Sequence, residues 1–147
     1  MGLDIRMKGD KISDQDYVAR YCKPTTAPNG QIQATAFMLR KGEESLSVNW
    51  LEFFKCSNRL SEIAELRKTY HAKLNNVGAG AKIAVLNVGE VLEKVRAESP
   101  DGRNIEALHD PEINDQSHSG IYNLKQDDEL IAELICETVR ETYPARK

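Results

Sequence analysis

Residues 31–53, QIQATAFMLRKGEESLSVNWLEF, decide the reading of the fold. Ile32, Ala34, Ala36 and Met38 share one parity, and Gln33, Thr35, Phe37 and Leu39 share the other. A strand imposes this alternation because its successive side chains point to opposite faces. Lys41-Gly42-Glu43 reads as a turn, after which Leu46, Val48 and Trp50 alternate with Ser45, Ser47 and Asn49. Gln31–Arg40 and Ser45–Phe53 are therefore expected to pair as an antiparallel hairpin.

Upstream of the hairpin, Tyr17, Val18 and Tyr21 predict a short strand over Tyr17–Cys22, stopped by Pro24 and the Pro28-Asn29-Gly30 turn signal. Residues 1–16 are polar and weakly patterned, and are expected to form a loose arm or an edge strand. Residues 17–147 contain no repeat and no dividing linker, so they are expected to share one domain.

Downstream, Ser57 or Asn58 can cap a helix whose apolar positions Leu60, Ile63, Ala64, Leu66, Tyr70 and Leu74 follow the helical period. Asn75-Asn76 with Gly78 and Gly80 ends it. Lys82–Val88 is a short apolar run bounded by glycine, suited to a buried strand in the middle of the sheet.

Residues 89–98 admit two readings: Val91, Leu92 and Val95 fit a helix, while Pro100-Asp101-Gly102 could join strands at Glu93–Glu98 and Asn104–His109. A helical turn passing into a hairpin is expected. Asp127 or Asp128 then caps a helix carrying Leu130, Ile131, Leu134, Ile135 and Val139, which Pro144 ends. The fold class is α+β, with a mixed or antiparallel sheet covered by two main amphipathic helices.

Composition narrows the function classes. With 20 Lys and Arg against 23 Asp and Glu over 147 residues, the net charge is -3, which disfavours nucleic acid and anionic membrane as partners. No apolar run is long enough to span a bilayer, and the first residues alternate charged with apolar side chains where a signal peptide would have an apolar core. Cys22, Cys56 and Cys136 are odd in number and widely spaced, which points to free thiols in a reducing compartment. A cytoplasmic location is the expectation.

Polar chemistry is densest in His109-Asp110-Pro111-Glu112 and Asn114-Asp115-Gln116-Ser117-His118-Ser119-Gly120. Imidazole titrates near neutrality and carboxylates orient it. His109 and His118 are thus candidate acid/base groups or metal ligands, with Asp110 and Glu112 beside them. The same residues are ordinary turn formers, and the spacing of the histidines matches no metal motif.

Trp50, Phe53 and Phe54 are a second candidate, a partner-binding cluster, although Trp50 shares its parity with the inward-facing Leu46 and Val48. Ser47 and Asn49 face the other way, toward a surface groove. Over two short stretches, Arg20 and the Ser45–Trp50 strand, the chain resembles ADP-ribosyltransferase-like enzymes. That resemblance implies a dinucleotide cleft lined by a basic residue and a serine-bearing strand, but no glutamate matches the catalytic position.

Val77-Gly78-Ala79-Gly80-Ala81-Lys82 precedes a strand, whereas a phosphate cradle follows one and opens a helix. Walker, GxSxG and local Cys-His signatures are absent from the sequence. No cofactor is assigned.

The leading expectation is a non-catalytic binding module that self-associates or joins a larger intracellular assembly. The alternative is a small enzyme acting on a nucleotide-like or phosphorylated ligand through His109 and His118. It requires both imidazoles in one pocket.

Overall fold

The computed structural model describes residues 9–146. Its strands are β1 (Asp10–Lys11), β2 (Tyr17–Cys22), β3 (Leu46–Trp50), β4 (Lys82–Asn87), β5 (Glu106–His109), β6 (His118–Tyr122) and β7 (Glu141–Pro144). All join one antiparallel sheet in the order β1-β5-β6-β3-β2-β4-β7. Three helices complete the fold: α1 (Arg59–Lys73), α2 (Val88–Glu98) and α3 (Glu129–Cys136). An α+β class follows.

Each helix starts where a side chain accepts from an otherwise unpaired backbone N–H. Asn58 accepts from Ser61 N at the start of α1, Asn87 from Glu90 N at α2, and Asp128 from Ile131 N at α3. Both sheet faces are apolar, so the core has two halves. Val18, Leu46, Val48, Leu86, Ala107 and Ile121 pack with α2 and α3 on one face. On the other face Ala19, Ile83 and Val85 pack with Ile63, Leu66 and Tyr70 of α1.

Several expectations are corrected. Residues 31–40 are not a strand, and the hairpin with 45–53 does not form. Ala34–Phe37 is a 3-10 turn, with Phe37 buried to 1% exposure. β3 is flanked by β6 along Leu46–Asn49 and by β2 at Asn49–Trp50, and on the β2 side the Ser47 carbonyl is met by Arg20 and not by residues 31–40. Ile32, Ala34, Ala36, Phe37 and Met38 instead pack into the half of the core that α2 and α3 share.

Residues 88–98 form a helix of 11 residues, so the proposed strand at Glu93–Glu98 is absent and β5 pairs with β1 and β6. The final helix does not run to Pro144. It stops at Cys136, and Glu141–Pro144 returns as an edge strand against β4. An edge tolerates the missing N–H of Pro144.

β4 is therefore one strand in from the edge, between β2 and β7, even though Ile83, Ala84, Val85 and Leu86 are each at 0% exposure. The sheet is covered by three helices and the 34–37 turn, not by two amphipathic helices. The inward stripe of α1 even includes the nearly buried Glu62, which Arg59 pairs. Of the N-terminal arm, residues 1–8 lie outside the described residues, while Asp10–Lys11 pairs with β5 at the sheet edge. Among the described residues no helix is long and apolar enough to cross a membrane.

Candidate functional site

β2 and β3 begin as neighbours, with Val18 opposite Trp50 and Ala19 opposite Asn49. Beyond that point they carry no ladder pairs, although β2 continues to Cys22 and β3 begins at Leu46. The strands part, and Arg20 enters the opening. Its Nε donates to Ala36 O at 2.8 Å and its Nη1 to Ser47 O at 2.9 Å. The guanidinium thus satisfies a β3 carbonyl that a ladder bond would otherwise reach.

The opening is the floor of a cleft of about 290 Å³, a size suited to a small ligand. Tyr21, Ser47, Asn49 and His118 contribute from one sheet face, because Tyr21, Asn49 and His118 share a parity across the pairing of β2, β3 and β6. Tyr70, Lys73 and Leu74 at the end of α1 form a wall. Lys23 and Thr26 follow β2, and Arg40 and Glu43 precede β3.

Four basic side chains, Arg20, Lys23, Arg40 and Lys73, line the cleft against one acidic one, Glu43. Arg20 is the informative member. It is partly buried, burial pulls its pKa below the usual arginine value, and its hydrogen-bond acceptors among the described residues are neutral carbonyls. Glu43 acts on it through its charge, and one oxygen of the Glu43 carboxylate accepts from Arg40 N. Only two of the several donors on the planar guanidinium are engaged by these carbonyls.

A polar network holds the wall in place. Asn49 Nδ2 donates to Asp115 Oδ1 at 2.8 Å and to Ser117 Oγ at 2.9 Å, and Lys73 Nζ donates to Asp115 Oδ2 at 2.8 Å and Glu112 Oε1 at 3.1 Å. Burial works against the Lys73 ammonium, but the hydrogen bonds and charges of Asp115 and Glu112 outweigh it and raise its pKa. Burial, aided by the charge of Asp115, pushes the Tyr70 phenol far up, so it keeps its proton and donates to Asn49 Oδ1 at 3.4 Å.

His118 is held on two sides. Asp110 O accepts from Nδ1 at 2.9 Å, which requires the proton on Nδ1. In the neutral ring Nε2 is then an acceptor, and Ser47 Oγ lies 3.2 Å away to donate to it. The carboxylates of Glu112 and Asp110 lie 3.7 and 3.9 Å from Nδ1. Gly120 sits beside Ser47 across the ladder, and a Cβ there would come within 2.5 Å of Ser45 Oγ, so only glycine lets the strands approach this closely.

His118, Asp110 and Glu112 therefore come together as the sequence suggested, but His109 does not join them. His109 pairs with Ser119, the next residue after His118, so the two imidazoles lie on opposite faces of the sheet. A shared site for the two histidines is corrected on that ground. His109 instead packs its ring 5.1 Å from Trp50 and 5.6 Å from Phe53, and its Nε2 meets Gln116 O.

Trp50, Phe53 and Phe54 are each half-buried. Phe53 contacts both of the others, and Trp50 Nε1 donates to Asp16. Sequence reasoning placed Ser47 and Asn49 on a groove and, through the ADP-ribosyltransferase-like resemblance, set Arg20 beside the Ser45–Trp50 strand, but Tyr70 and Lys73 were not seen as members of the cleft. Both lie on α1, far in sequence from β2 and β3, and nothing local in the helix pattern marks them as facing Arg20 and Ser47. Among the described residues no group of three or more His, Cys, Asp and Glu is arranged to hold a metal ion. Compared with known proteins, the chain matches no family model, no curated protein and no solved structure.

Proposed function

We propose that this protein binds a small anionic ligand bearing a phosphate group in the cleft between β2 and β3. The observation that supports this reading is Arg20, a partly buried guanidinium that contacts neutral carbonyls and still has donors to offer. Retaining a desolvated cation without a contacting carboxylate costs stability, and an incoming anion would offset that cost. The fork of an arginine also matches phosphate oxygens bidentately. Lys23 and Arg40 extend the positive lining, and Lys73 is held in place by its acidic partners.

This reading keeps the binding class expected from the sequence and takes a small molecule, not a protein, as the ligand. Thermal unfolding with inorganic phosphate, against chloride at matched ionic strength, tests the reading. A ligand that binds only the folded state adds about 2.7 kcal/mol of stability at 100 times its Kd. The expected result is a midpoint that climbs with phosphate and not with chloride, and an effect that disappears in Arg20→Met. Equal responses to both salts would refute it.

A further inference from the structure

We infer that Ser47 is a nucleophile and His118 its general base, so that the cleft transfers the phosphoryl group of a bound phosphomonoester to water through a phosphoserine. The inference rests on the phosphate-binding reading and names the reaction of that same site. Two observations carry it beyond binding. The first is the alignment of Ser47 Oγ with His118 Nε2 at 3.2 Å, on a ring whose other nitrogen is fixed by Asp110 O at 2.9 Å. A hydroxyl within hydrogen-bond reach of a base that is itself oriented by a third group is the arrangement covalent catalysis requires.

The second is what surrounds the pair. Ser47 is exposed toward the cleft, and His118 is nearly buried at 6% exposure, so the hydroxyl is reachable while the base is fixed. Glu112 and Asp110, at 3.7 and 3.9 Å from Nδ1, stabilise the positive charge that the ring acquires when it takes a proton. Arg20 donates to the backbone carbonyl of Ser47 and lines the same cleft, which places a cation on the floor of the site. Negative charge on the non-bridging phosphoryl oxygens is what such a cation neutralises, and this favours a phosphoryl over a neutral acyl centre.

The steps balance as follows. The Ser47 Oγ–P bond forms as the bond from phosphorus to the ester oxygen breaks. The Ser47 proton passes to His118 Nε2 and then to the leaving alkoxide, releasing an alcohol. A water molecule next attacks phosphorus and gives a proton to His118. The Ser47 Oγ–P bond breaks, the serine oxygen recovers a proton from His118, and inorganic phosphate departs. Water is the only co-reactant.

The experiment uses the full chain with p-nitrophenyl phosphate, followed by release of p-nitrophenolate and by mass spectrometry of acid-quenched digests. Phosphate-dependent thermal stabilisation is measured in parallel. The expected result is hydrolysis by the native protein, phosphoserine at Ser47, and loss of both in Ser47→Ala, an exposed substitution that keeps the native melting midpoint. His118→Asn should slow release by about 10²–10⁴-fold. Phosphate binding without hydrolysis would overturn the inference and leave the binding reading intact. Hydrolysis retained in Ser47→Ala, or lost without any phosphoserine, would also overturn it. If phosphate does not stabilise the protein at all, the binding reading itself fails.

Discussion

Replacing Arg20 by methionine separates a residue kept for ligand binding from one kept for the fold. The substitution removes two hydrogen bonds, at 2.8 Å to Ala36 O and 2.9 Å to Ser47 O. Hydrogen bonds from a charged donor contribute about 1.5–3 kcal/mol each. Against that loss stands the relief of a cation that burial already disfavours, since its pKa is depressed mainly by desolvation. Methionine fills a similar volume, and the cleft is open, so water can reach the carbonyls that the guanidinium leaves.

These opposing contributions nearly cancel, and the expected change in stability is within about 1 kcal/mol, or about 2–4 °C in Tm for a domain of this size. Ligand binding has no such compensation. Loss of a bidentate charged contact of about 2–3 kcal/mol weakens phosphate binding by about 30–150-fold, at 1.4 kcal/mol per tenfold. Differential scanning calorimetry gives the first quantity and isothermal titration with phosphate the second. A Tm lowered by more than about 8 °C would show that Arg20 holds the strands together. An unchanged phosphate affinity would remove the basis for the site.

Four further outcomes are expected. Asp115→Ala strips a side chain at 1% exposure of its bonds to Asn49 and Lys73, and should cost about 2–3 kcal/mol in urea denaturation. The Lys73 pKa is raised on folding, so the contribution of that pair is fully present below the unfolded lysine value of 10.5 and is lost as pH rises through the higher folded value. The alkaline decline in stability should therefore be steeper in the native protein than in Asp115→Ala. Burial pushes the Cys22 thiol up to about 12, so a disulfide reagent at mildly alkaline pH should spare Cys22 until the chain is unfolded, as peptide mapping would show. Leu66→Ala, at 0% exposure under α1, should lose about 2–5 kcal/mol, and a loss below about 1 kcal/mol would contradict the packing of α1 on the sheet.

Residues with strong local signals were legible in advance. The strands at Tyr17–Cys22, Leu46–Trp50 and Lys82–Asn87, and the helices beginning after Asn58 and Asp128, lie where periodicity and capping residues put them. The failures share a cause. Residues 31–40 alternate like a strand, and 137–143 continue an apolar stripe like a helix, yet each adopts what its neighbours leave open. β3 took β6 and β2 as its neighbours in place of residues 31–40, and β4 had one edge free for Glu141–Pro144. β6 escaped notice because His118-Ser119-Gly120 resembles a turn, and glycine is there to admit Ser45 rather than to bend the chain.

The sequence by itself determined an α+β chain with a modest negative charge, no long apolar span, and titratable groups concentrated between residues 109 and 120. Tertiary structure alone decided that His118 faces Ser47 while His109 faces Trp50, and that β2 and β3 part where Arg20 can enter. Periodicity and capping act over a few residues and are written locally. The register that sorts adjacent side chains onto opposite faces, and the point at which two strands separate, depend on partners far away in the chain.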